Sequence, residues 1–536
     1  MGHATPDKRH IIQWTGLFAG PLLAAVMYLL LPESYLGPSG ETVAFSHAGR
    51  MTAAAAAWMA VWWMTEAIPI TATALIPLAL FPTAGVASMR AAAAPYGNEL
   101  IYLFMGGFIV ALAMQRWELH KRFAYMTLRL VGTGTHSVVA GFMGITAFIS
   151  MWVSNTATAI MMLPIALSVI DLVRSSSAQD VQSARSARSE QGAGGASEAS
   201  AALAGESGKN FALCLMLGIA YASSIGGIGT LIGTPPNLFL ASYIKNTLGG
   251  EISFVRWMGF AVPLVVVFLP LVWLLLTRVL YPIRVKRIEA GGEFIRNALR
   301  ALGPMKRAEW AVFVVFALTA LTWIFRPLLI KISIAGSRPL AGLTDPGIAM
   351  IAALILFVIP VDARKRVFVM DWKTAAQLPW GILVLFGGGL SLAAAIEANG
   401  VSEFLGSRVA AFAGLPTLVL VLVVVTIVIF LTELTSNTAT TAAVVPILAA
   451  IGPGLGVNPY ALIVPATIAA SCAFMLPVGT PPNAIVFGSG FVRMGQMVRA
   501  GFWLNVIGIV LITLLTYAIV LPLLGVSASL APPPLP

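Results

Sequence analysis

Two stretches of this chain decide its fold: SNTATAIMMLPIAL at Ser154–Leu167 and SNTATTAAVVPILA at Ser436–Ala449. Each places Ser-Asn-Thr between hydrophobic residues and follows it with Pro-Ile at the same spacing. Three adjacent hydrogen-bonding side chains are costly to place in hydrocarbon, because no water is present there to satisfy them. A single copy is typical of a helix interface, whereas two copies at matching positions indicate a duplicated functional element.

Composition places the chain in the class of polytopic membrane proteins. Of its 536 residues, 58% are hydrophobic and only 10% are charged, and the mean hydropathy is +0.90, whereas soluble domains carry about 25% charged residues. The net charge of +11 comes from basic residues in short loops between apolar runs, where such residues set membrane topology. We therefore expect contact with membrane lipid and no nucleic-acid partner. Both cysteines lie in apolar segments, so no disulfide framework or metal cluster is predicted.

The predicted fold class is all-α, with about eleven transmembrane helices and two re-entrant hairpins. One span needs about 20 apolar residues. The candidate spans are 11–31, 51–66, 68–84, 98–115, 211–247, 257–280, 308–328, 346–361, 379–398, 460–489 and 500–524. The first of them lacks the short core and the small-residue cleavage site of a signal peptide, so it is predicted to be an uncleaved span.

Two further apolar stretches, 135–172 and 414–452, are longer than one crossing, and each carries Ser-Asn-Thr at its middle. Either two straight spans or a re-entrant hairpin, whose half-helices enter and leave on one side, would fit this length. The basic loop 278–307 is predicted to be cytoplasmic. The basic residues of 116–129 lie on that same side only if 135–172 returns to the side that it entered, which favours the hairpin.

The two halves of the chain form an internal repeat. The same offset of 282 residues that relates the two Ser-Asn-Thr motifs also relates Gly106-Gly107 to Gly388-Gly389. IGTPPN at 232–237 and VGTPPN at 478–483 are related by a smaller offset. The difference between the two offsets corresponds to the polar, low-complexity insert 173–209, which is present in the first half of the chain. That composition predicts a disordered cytoplasmic insert.

An odd number of crossings, five, is predicted between Gly106 and Gly388, so the halves are predicted to have opposite orientations. An inverted-topology repeat is typical of secondary transporters, whose sites lie near the midplane where broken helices meet. The two Ser-Asn-Thr tips would then approach the midplane from opposite faces of the membrane. The glycine pairs are interpreted as close helix packing.

The motif residues suit an anion at this centre. Ser, Asn and Thr are favoured at the N-caps of helices, and Thr234 and Thr480 each precede a Pro-Pro pair, which is tolerated in a first helical turn. Four helix N-termini would then direct their positive ends at one point.

No arginine or lysine lies at a motif, where it could pair with a substrate carboxylate. Within 135–170, 222–245, 416–450 and 460–488 the only formal charges are Glu433 and Lys245. Helix dipoles contribute about 0.3–2 kcal/mol each, which is too little to hold a dianion at the bilayer centre. Bound cations are therefore predicted, and hydroxyl, amide and carbonyl oxygens suit a hard ion such as Na⁺.

Three isolated acids, Glu66, Glu397 and Glu433, lie at span ends. Each is interpreted either as a packed or interfacial carboxylate or as a group with a role in gating or coupling. His120 lies in the basic segment 116–131, which is predicted to form an interfacial amphipathic helix, and it is not a candidate ligand.

The motifs together resemble those of the divalent anion/sodium symporter family, which includes sodium-coupled di- and tricarboxylate transporters. The segments that carry the resemblance are SMWVSNTATAIMMLP at 150–164, IGTLIGTPPN at 228–237, WWMTEAIPITATALIP at 62–77, LTELTSNTATTAAVVP at 431–446 and LPVGTPPN at 476–483. The resemblance implies a homodimer whose transport domain moves by an elevator mechanism against a scaffold domain.

Site residues follow from the same resemblance. The implied first sodium site uses Ser150, Ser154, Asn155 and the backbone at Gly233, and the second uses Thr432, Asn437 and the backbone at Thr435 and Gly479. The implied substrate-binding residues are Asn155, Thr156, Asn437, Thr438 and Thr480, with Pro235 and Pro481 beside them.

The leading functional hypothesis is sodium-driven symport of C4 dicarboxylates such as succinate, malate and fumarate in the cytoplasmic (inner) membrane. Symport of citrate or sulfate, and sodium-independent dicarboxylate exchange, remain alternatives within transport. A cation/proton antiporter would require a carboxylate at the crossing of broken helices. An enzyme would require a nucleophile with a base, or a metal cluster. The Ser-Asn-Thr and Thr-Pro-Pro-Asn motifs contain no His, Cys or acid, so the chain is predicted not to be an enzyme.

The predicted domains run in the following order: an N-terminal span and loop (1–50), a first repeat with a cytoplasmic-side hairpin (51–172), the insert (173–209), a broken helix (210–256), a linking span and basic loop (257–307), a second repeat with a hairpin from the opposite side (308–452), a second broken helix (453–490), and a final span and tail (491–536).

Overall fold

The computed structural model describes residues 8–36, 41–189, 196–284, 291–334, 337–409 and 414–528. These residues are mostly helical, and two short antiparallel ribbons pair Ser34–Leu36 with Thr42–Ala44 and Pro360–Asp362 with Val367–Phe368. The all-α architecture predicted from composition is therefore confirmed at the level of a helical bundle with apolar spans.

The helices of the first half are α1 (Lys8–Leu30), α2 (His47–Thr65), α3 (Ile70–Thr73), α4 (Ile76–Thr83), α5 (Met89–Ala93), α6 (Glu99–Arg116), α7 (Leu119–Val131), α8 (Thr135–Ser150), α9 (Asn155–Ser189), α10 (Ala196–Ile228), α11 (Pro235–Thr247) and α12 (Phe254–Leu274). Those of the second half are α13 (Gly291–Leu302), α14 (Arg307–Leu329), α15 (Asp345–Val358), α16 (Trp372–Ala375), α17 (Trp380–Ala398), α18 (Val401–Val409), α19 (Thr417–Thr432), α20 (Asn437–Gly454), α21 (Pro459–Ala470), α22 (Pro481–Gly488), α23 (Met494–Leu515) and α24 (Leu521–Leu524). A 3-10 turn covers Ala94–Gly97, and π-helical turns cover Leu275–Leu280 and Thr516–Val520.

Within the described ranges, eight helical segments are long and apolar enough to cross a membrane. They are His10–Leu30, Met89–Arg116, Asn155–Val173, Gly208–Ile228, Phe254–Leu280, Arg307–Leu329, Trp380–Ala398 and Met494–Leu524. Other predicted spans appear as shorter apolar helices, among them Asp345–Val358 and Pro459–Ala470. Several sequence runs of span length are thus interrupted, because polar or proline-containing segments end their helices early.

Both Ser-Asn-Thr motifs lie where one helix ends and the next begins. α8 ends at Ser150 and α9 begins at Asn155, and α19 ends at Thr432 and α20 begins at Asn437. In each pair the two helices contact one another. The helix–break–helix pattern predicted for these two stretches is therefore present, with the motif at the break.

The two Thr-Pro-Pro-Asn motifs lie at similar breaks. α10 and α11 are separated by residues 229–234, and α21 and α22 by residues 471–480. Proline at the first positions of α11 and α22 is compatible with the helix start, because those positions need no intrahelical N–H.

The insert 173–209 borders two helices. Its described parts continue α9 as far as Ser189 and form the start of α10 from Ala196, while residues 190–195 lie outside the described residues. Alanine, the best helix former, is frequent in the insert. The disorder and the cytoplasmic side of the insert stay predictions.

Packing follows the internal repeat. α8 packs on α10 as α19 packs on α21, and α9 contacts α22 as its counterpart α20 contacts α11. Phe104 and its repeat counterpart Phe386 contact each other directly, with ring centroids 5.4 Å apart. The two halves of the chain therefore contact each other through repeat-related residues.

Glycines at repeat-related positions allow helices to approach closely. A Cβ at Gly106 would lie 2.6 Å from the carbonyl oxygen of Ala349, and one at Gly388 would lie 2.2 Å from that of Ala74. The interpretation of these glycines as packing residues is thus confirmed.

We expect Gly388→Ala to destabilise the protein by about 1–3 kcal/mol or more, because a backbone carbonyl would have to move. The matched control is Gly144→Ala on α8, where an added Cβ meets nothing within 4 Å. Melting temperatures in detergent should fall for Gly388→Ala and stay level or rise for Gly144→Ala. Equal melting temperatures for the two variants would contradict the packing interpretation.

The basic segment 116–131 forms helix α7, beginning at Leu119. His120 is buried, and burial lowers its pKa to about 4, so it is neutral at pH 7. Arg122 is also buried and donates through Nε to Glu309 Oε2 at 2.9 Å and through Nη1 to the Gly303 carbonyl at 3.0 Å. This contact ties α7 to the start of α14.

Candidate functional site

The first Ser-Asn-Thr break is organised around the hydroxyl of Ser150. Ser150 Oγ lies 2.8 Å from Asn155 Oδ1 and 2.6 Å from the carbonyl oxygen of Ser223 on α10. The last residue of α8 is therefore joined both to the first residue of α9 and to a third helix. Asn155 fits closely against α10, because a Cβ at Gly227 would lie 2.2 Å from Asn155 Oδ1.

The second break repeats this arrangement. Thr432 Oγ1 lies 2.8 Å from Asn437 Oδ1 and 2.8 Å from the carbonyl oxygen of Ala470 on α21. Ser150 and Asn155 map onto Thr432 and Asn437 with the common offset of 282 residues. The duplication seen in sequence is thus a duplication of side-chain geometry.

Each cluster brings together more oxygen lone pairs than hydrogen atoms. A hydroxyl has one hydrogen to donate, yet each of these hydroxyls lies within 2.8 Å of two acceptor oxygens. The single hydrogen can lie between the hydroxyl oxygen and only one of the two acceptors, so the other pair of oxygens repel each other. A small cation bound by all three oxygens would remove this repulsion. Neutral oxygen donors of this kind suit a hard alkali ion, so both clusters fit Na⁺.

Two asparagines hold the unwound connections, which are residues 229–234 between α10 and α11 and residues 471–480 between α21 and α22. The sequence analysis proposed no role for these asparagines. Asn237 Nδ2 donates to the carbonyls of Thr230 at 2.7 Å and Gly227 at 3.0 Å. Asn483 Nδ2 donates to those of Leu476 at 3.0 Å and Ala473 at 3.1 Å. Each asparagine closes the loop before its own helix. Their shared place at the end of Thr-Pro-Pro-Asn was the signal that could have identified them.

Only part of the predicted capping is present. Ser154 Oγ accepts from the N–H of Ala157 and Thr480 Oγ1 from that of Asn483, both at 3.4 Å. Ser436 and Thr234 occupy the N-cap positions of α20 and α11, but their side chains make no capping hydrogen bond. For these two residues the prediction of a side-chain cap was wrong.

The predicted substrate-binding residues lie at the N-termini of helices that meet across the repeat. Thr480 is buried, Asn155, Thr156, Asn437, Thr438 and Pro235 are half-buried, and Pro481 is exposed. Contact of α9 with α22 and of α20 with α11 places motifs from different halves side by side.

Two hydroxyls at these N-termini are free to bind a ligand. Within the described residues, Thr156 and Thr438 make no side-chain hydrogen bond. They occupy equivalent positions in the two halves, one residue after Asn155 and Asn437 respectively.

No ion pair among the described residues involves the predicted site residues. Lys245, at the far end of α11, pairs with Glu99 on α6. Glu397 is exposed and accepts a hydrogen bond from Ser402 at 3.2 Å, and Glu66 occupies a left-handed turn at the end of α2. Glu433 is different, since it is buried at the second break.

Comparison with known proteins finds matches over nearly the whole chain. Residues 14–525 match the family model described as "Sodium:sulfate symporter transmembrane region". A protein of Staphylococcus saprophyticus named sodium-dependent dicarboxylate transporter is 42% identical over 518 residues, covering 96% of this chain and 93% of its own length. A protein of Staphylococcus aureus with the same name is 40% identical over 522 residues, again covering 96% and 93%.

Solved structures of more distant transporters share the fold. The YdaH transporter of Alcanivorax borkumensis has a TM-score of 0.53 at 16% identity, covering 95% of this chain and 98% of its own. MtrF of Neisseria gonorrhoeae has a TM-score of 0.53 at 13% identity, covering 99% and 98%. Together with the nearly full-length family match and the paired oxygen clusters, these similarities show that the chain is a multi-pass membrane protein of the divalent anion:sodium symporter family.

Proposed function

We propose that this protein is a sodium-coupled symporter of divalent organic anions, with C4 dicarboxylates such as succinate, malate and fumarate as its substrates. The observation that carries the proposal is the pair of equivalent oxygen clusters at Ser150–Asn155 and Thr432–Asn437. Further support comes from the two staphylococcal relatives, which are named sodium-dependent dicarboxylate transporters.

Each oxygen cluster is proposed to form one sodium site. The first site comprises Ser150, Ser154, Asn155 and the backbone at Gly233. The second comprises Thr432, Asn437 and the backbone at Thr435 and Gly479. The buried hydroxyls of Ser150 and Thr432 already face two acceptor oxygens each, so a bound ion completes contacts that the folded chain has arranged.

The carboxylates of the substrate are proposed to bind between the two sodium sites. Asn155, Thr156, Asn437, Thr438 and Thr480 would donate hydrogen bonds, with Pro235 and Pro481 forming the adjoining surface. An uncompensated charge at the bilayer centre costs several kcal/mol, and each helix N-terminus returns only about 0.3–2 kcal/mol. Sodium ions beside the substrate supply the remaining positive charge, which explains why the anion would bind only when sodium is present.

Coupling follows from this charge balance. A site that holds sodium without substrate carries excess positive charge, and one that holds substrate without sodium carries excess negative charge. A transport domain in either of these states would carry a net charge through the hydrocarbon, which is unfavourable. The fully loaded site and the empty site carry less net charge from ions and substrate, so their movement is more favourable. We infer that the loaded transport domain moves by an elevator motion against a scaffold domain in a homodimer of the cytoplasmic membrane.

The proposed topology follows the repeat. The segments 135–172 and 414–452 would be re-entrant hairpins from opposite faces, within about eleven spans in all. The repeats 51–172 and 308–452 would each be completed by its own broken helix, 210–256 and 453–490. α9 contacts α22 of the other half, and α20 contacts α11 of the other half. These matched contacts support an arrangement in which the two repeats pack against each other in the same way.

The proposal is tested by uptake of labelled succinate into proteoliposomes. An inward Na⁺ gradient should accumulate succinate above its external concentration, while an equal K⁺ gradient should not. Unlabelled fumarate and malate should compete, and citrate and sulfate should compete more weakly. Accumulation driven by internal succinate without sodium would instead indicate an exchanger, and uptake of sulfate in preference to succinate would indicate the substrate named in the family description.

A further inference from the structure

Glu433 forms a buried carboxylate site that the proposed transport mechanism has not used. It lies at the C-cap of α19 and is only 3% exposed. Its Oε1 accepts from the N–H groups of Phe474 at 2.7 Å and Met475 at 2.9 Å, and its Oε2 accepts from Leu476 N at 3.2 Å. Asn505 Nδ2 on α23 donates to Oε1 at 2.8 Å. The side chain thus joins the second break, the unwound connection and the last long helix.

These partners all donate, which is the environment of an ionised carboxylate. A protonated oxygen would place its own hydrogen against an N–H or NH₂ donor. Yet within the described residues no lysine, arginine or histidine forms an ion pair with Glu433. A buried carboxylate without a basic partner carries a charge that a nearby cation would balance.

The position of this charge is next to the second proposed sodium site. Glu433 directly follows Thr432 in the chain. A Cβ built on Gly479 would lie 3.2 Å from Glu433 Oε2 and 3.1 Å from the Glu433 carbonyl oxygen. The carboxylate therefore lies beside the backbone ligand proposed for this ion, and its residue directly follows the one that supplies the hydroxyl ligand.

The first site has no such charge. The residue at the repeat-related position is Met151, whose carbonyl accepts a hydrogen bond from the hydroxyl of Thr230. The unwound connection of the first half is held by neutral groups, including Trp257 Nε1, which donates to the Ile228 carbonyl at 2.9 Å. The two clusters share their oxygen geometry but differ in formal charge.

We propose that Glu433 is a positioning residue whose fixed negative charge makes the second sodium site bind more tightly than the first, so that the second site fills first. This inference rests on the proposed function, since it assumes that both oxygen clusters bind sodium. The carboxylate also orders the peptide N–H groups of 474–476, while the carbonyl oxygens of Ala473 and Leu476 in the same connection accept from Asn483.

The test is a sodium titration of purified full-length protein without substrate, followed by thermal stability. Glu433→Gln keeps the size of the side chain and removes its charge. We expect it to raise the sodium concentration needed for half-maximal stabilisation about 10- to 100-fold, as expected for unit charges about 6–12 Å apart at an effective dielectric constant of about 20. Stability in choline chloride should also fall, because the amide NH₂ of the new side chain faces N–H donors that the carboxylate accepted from, but the loss in sodium should be larger because cation binding is weakened as well.

Glu433→Asp and Glu397→Gln complete the set. Glu433→Asp keeps the charge on a shorter side chain, so its sodium response should lie closer to the wild type than that of Glu433→Gln. Glu397→Gln removes an exposed carboxylate away from the motifs and should leave the response unchanged. In succinate uptake, Glu433→Gln should raise the half-saturating sodium concentration while retaining the maximal rate at high sodium.

Specific results would overturn the inference. An unchanged sodium response in Glu433→Gln, or an equal loss of stability in choline and in sodium, would show that the carboxylate has only a structural role. If Glu433→Gln cannot be purified, Ser150→Ala and Thr432→Ala test with Glu433 intact whether the two sites fill unequally. Thr432→Ala should lose the response at low sodium and Ser150→Ala should keep it, and the reverse order would refute unequal sites. A wild type without any sodium response would refute the proposed function instead.

Discussion

Asn155→Ala and Asn437→Ala are each expected to lower sodium-driven succinate uptake at least about 100-fold. Each asparagine is the first residue of a helix and places its carboxamide oxygen 2.8 Å from the hydroxyl of Ser150 or Thr432. Removing it takes one oxygen from the proposed ion site and one hydrogen-bond donor from the proposed substrate site. Losses at neighbours of a metal site alone reach about 10- to 100-fold, so losing both roles should be larger.

Initial uptake rates in proteoliposomes with equal amounts of protein measure this effect. Asn246→Ala is a matched control, because Asn246 lies near the end of α11 and donates to its own helix at the Ser242 carbonyl. It should retain uptake close to that of the wild type. If both Asn155→Ala and Asn437→Ala also transported at near wild-type rates, the candidate site would be wrong.

Arg122→Ala is expected to cause a large loss of stability although it lies outside the site. The side chains of Arg122 and Glu309 are each about 10% exposed, and their charged atoms lie 2.8 Å apart. Removing one partner of a buried ion pair costs about 3–5 kcal/mol, because the remaining charge is left buried without compensation. The contact between α7 and the start of α14 would be lost with it.

Melting of the purified protein in detergent tests this expectation, with Lys121→Ala as control. Lys121 is the next residue along α7 toward its N-terminus and pairs with Glu118 at 2.6 Å, but that pair is 39% and 56% exposed. Exposed pairs contribute about 0–1 kcal/mol, so Lys121→Ala should melt close to the wild type. Similar melting temperatures for Arg122→Ala and Lys121→Ala would show that the buried pair does not hold these helices together.

Sequence reasoning predicted the features that depend on repeated local chemistry. The breaks at Ser150–Asn155 and Thr432–Asn437 follow from polar side chains in apolar stretches, and the starts of α11 and α22 follow from paired prolines. The close packing at Gly106 and Gly388 followed from their common offset. Such features depend on residues that are close together in the sequence. A second copy of the same pattern makes a chance occurrence much less probable as an explanation.

Features that depend on distant contacts were not predictable. The carbonyls of Ser223 and Ala470 complete the oxygen clusters, but backbone groups carry no sequence signal. Glu433 could not be distinguished from Glu66 and Glu397 along the chain, since its partners lie some 40 to 70 residues away at Phe474 and Asn505. Ser436 showed the limit of local rules, because it occupies an N-cap without making the expected side-chain bond.

The central claim is that sodium ions and helix N-termini, with no basic side chain, hold a dianion between the two halves of the chain. A cryo-electron microscopy structure with Na⁺ and succinate bound would test it most directly. We predict density for ions at the Ser150–Asn155 and Thr432–Asn437 clusters, with the succinate carboxylates at Thr156 and Thr438. Succinate held by an arginine or lysine, or bound with both clusters free of sodium, would contradict the claim.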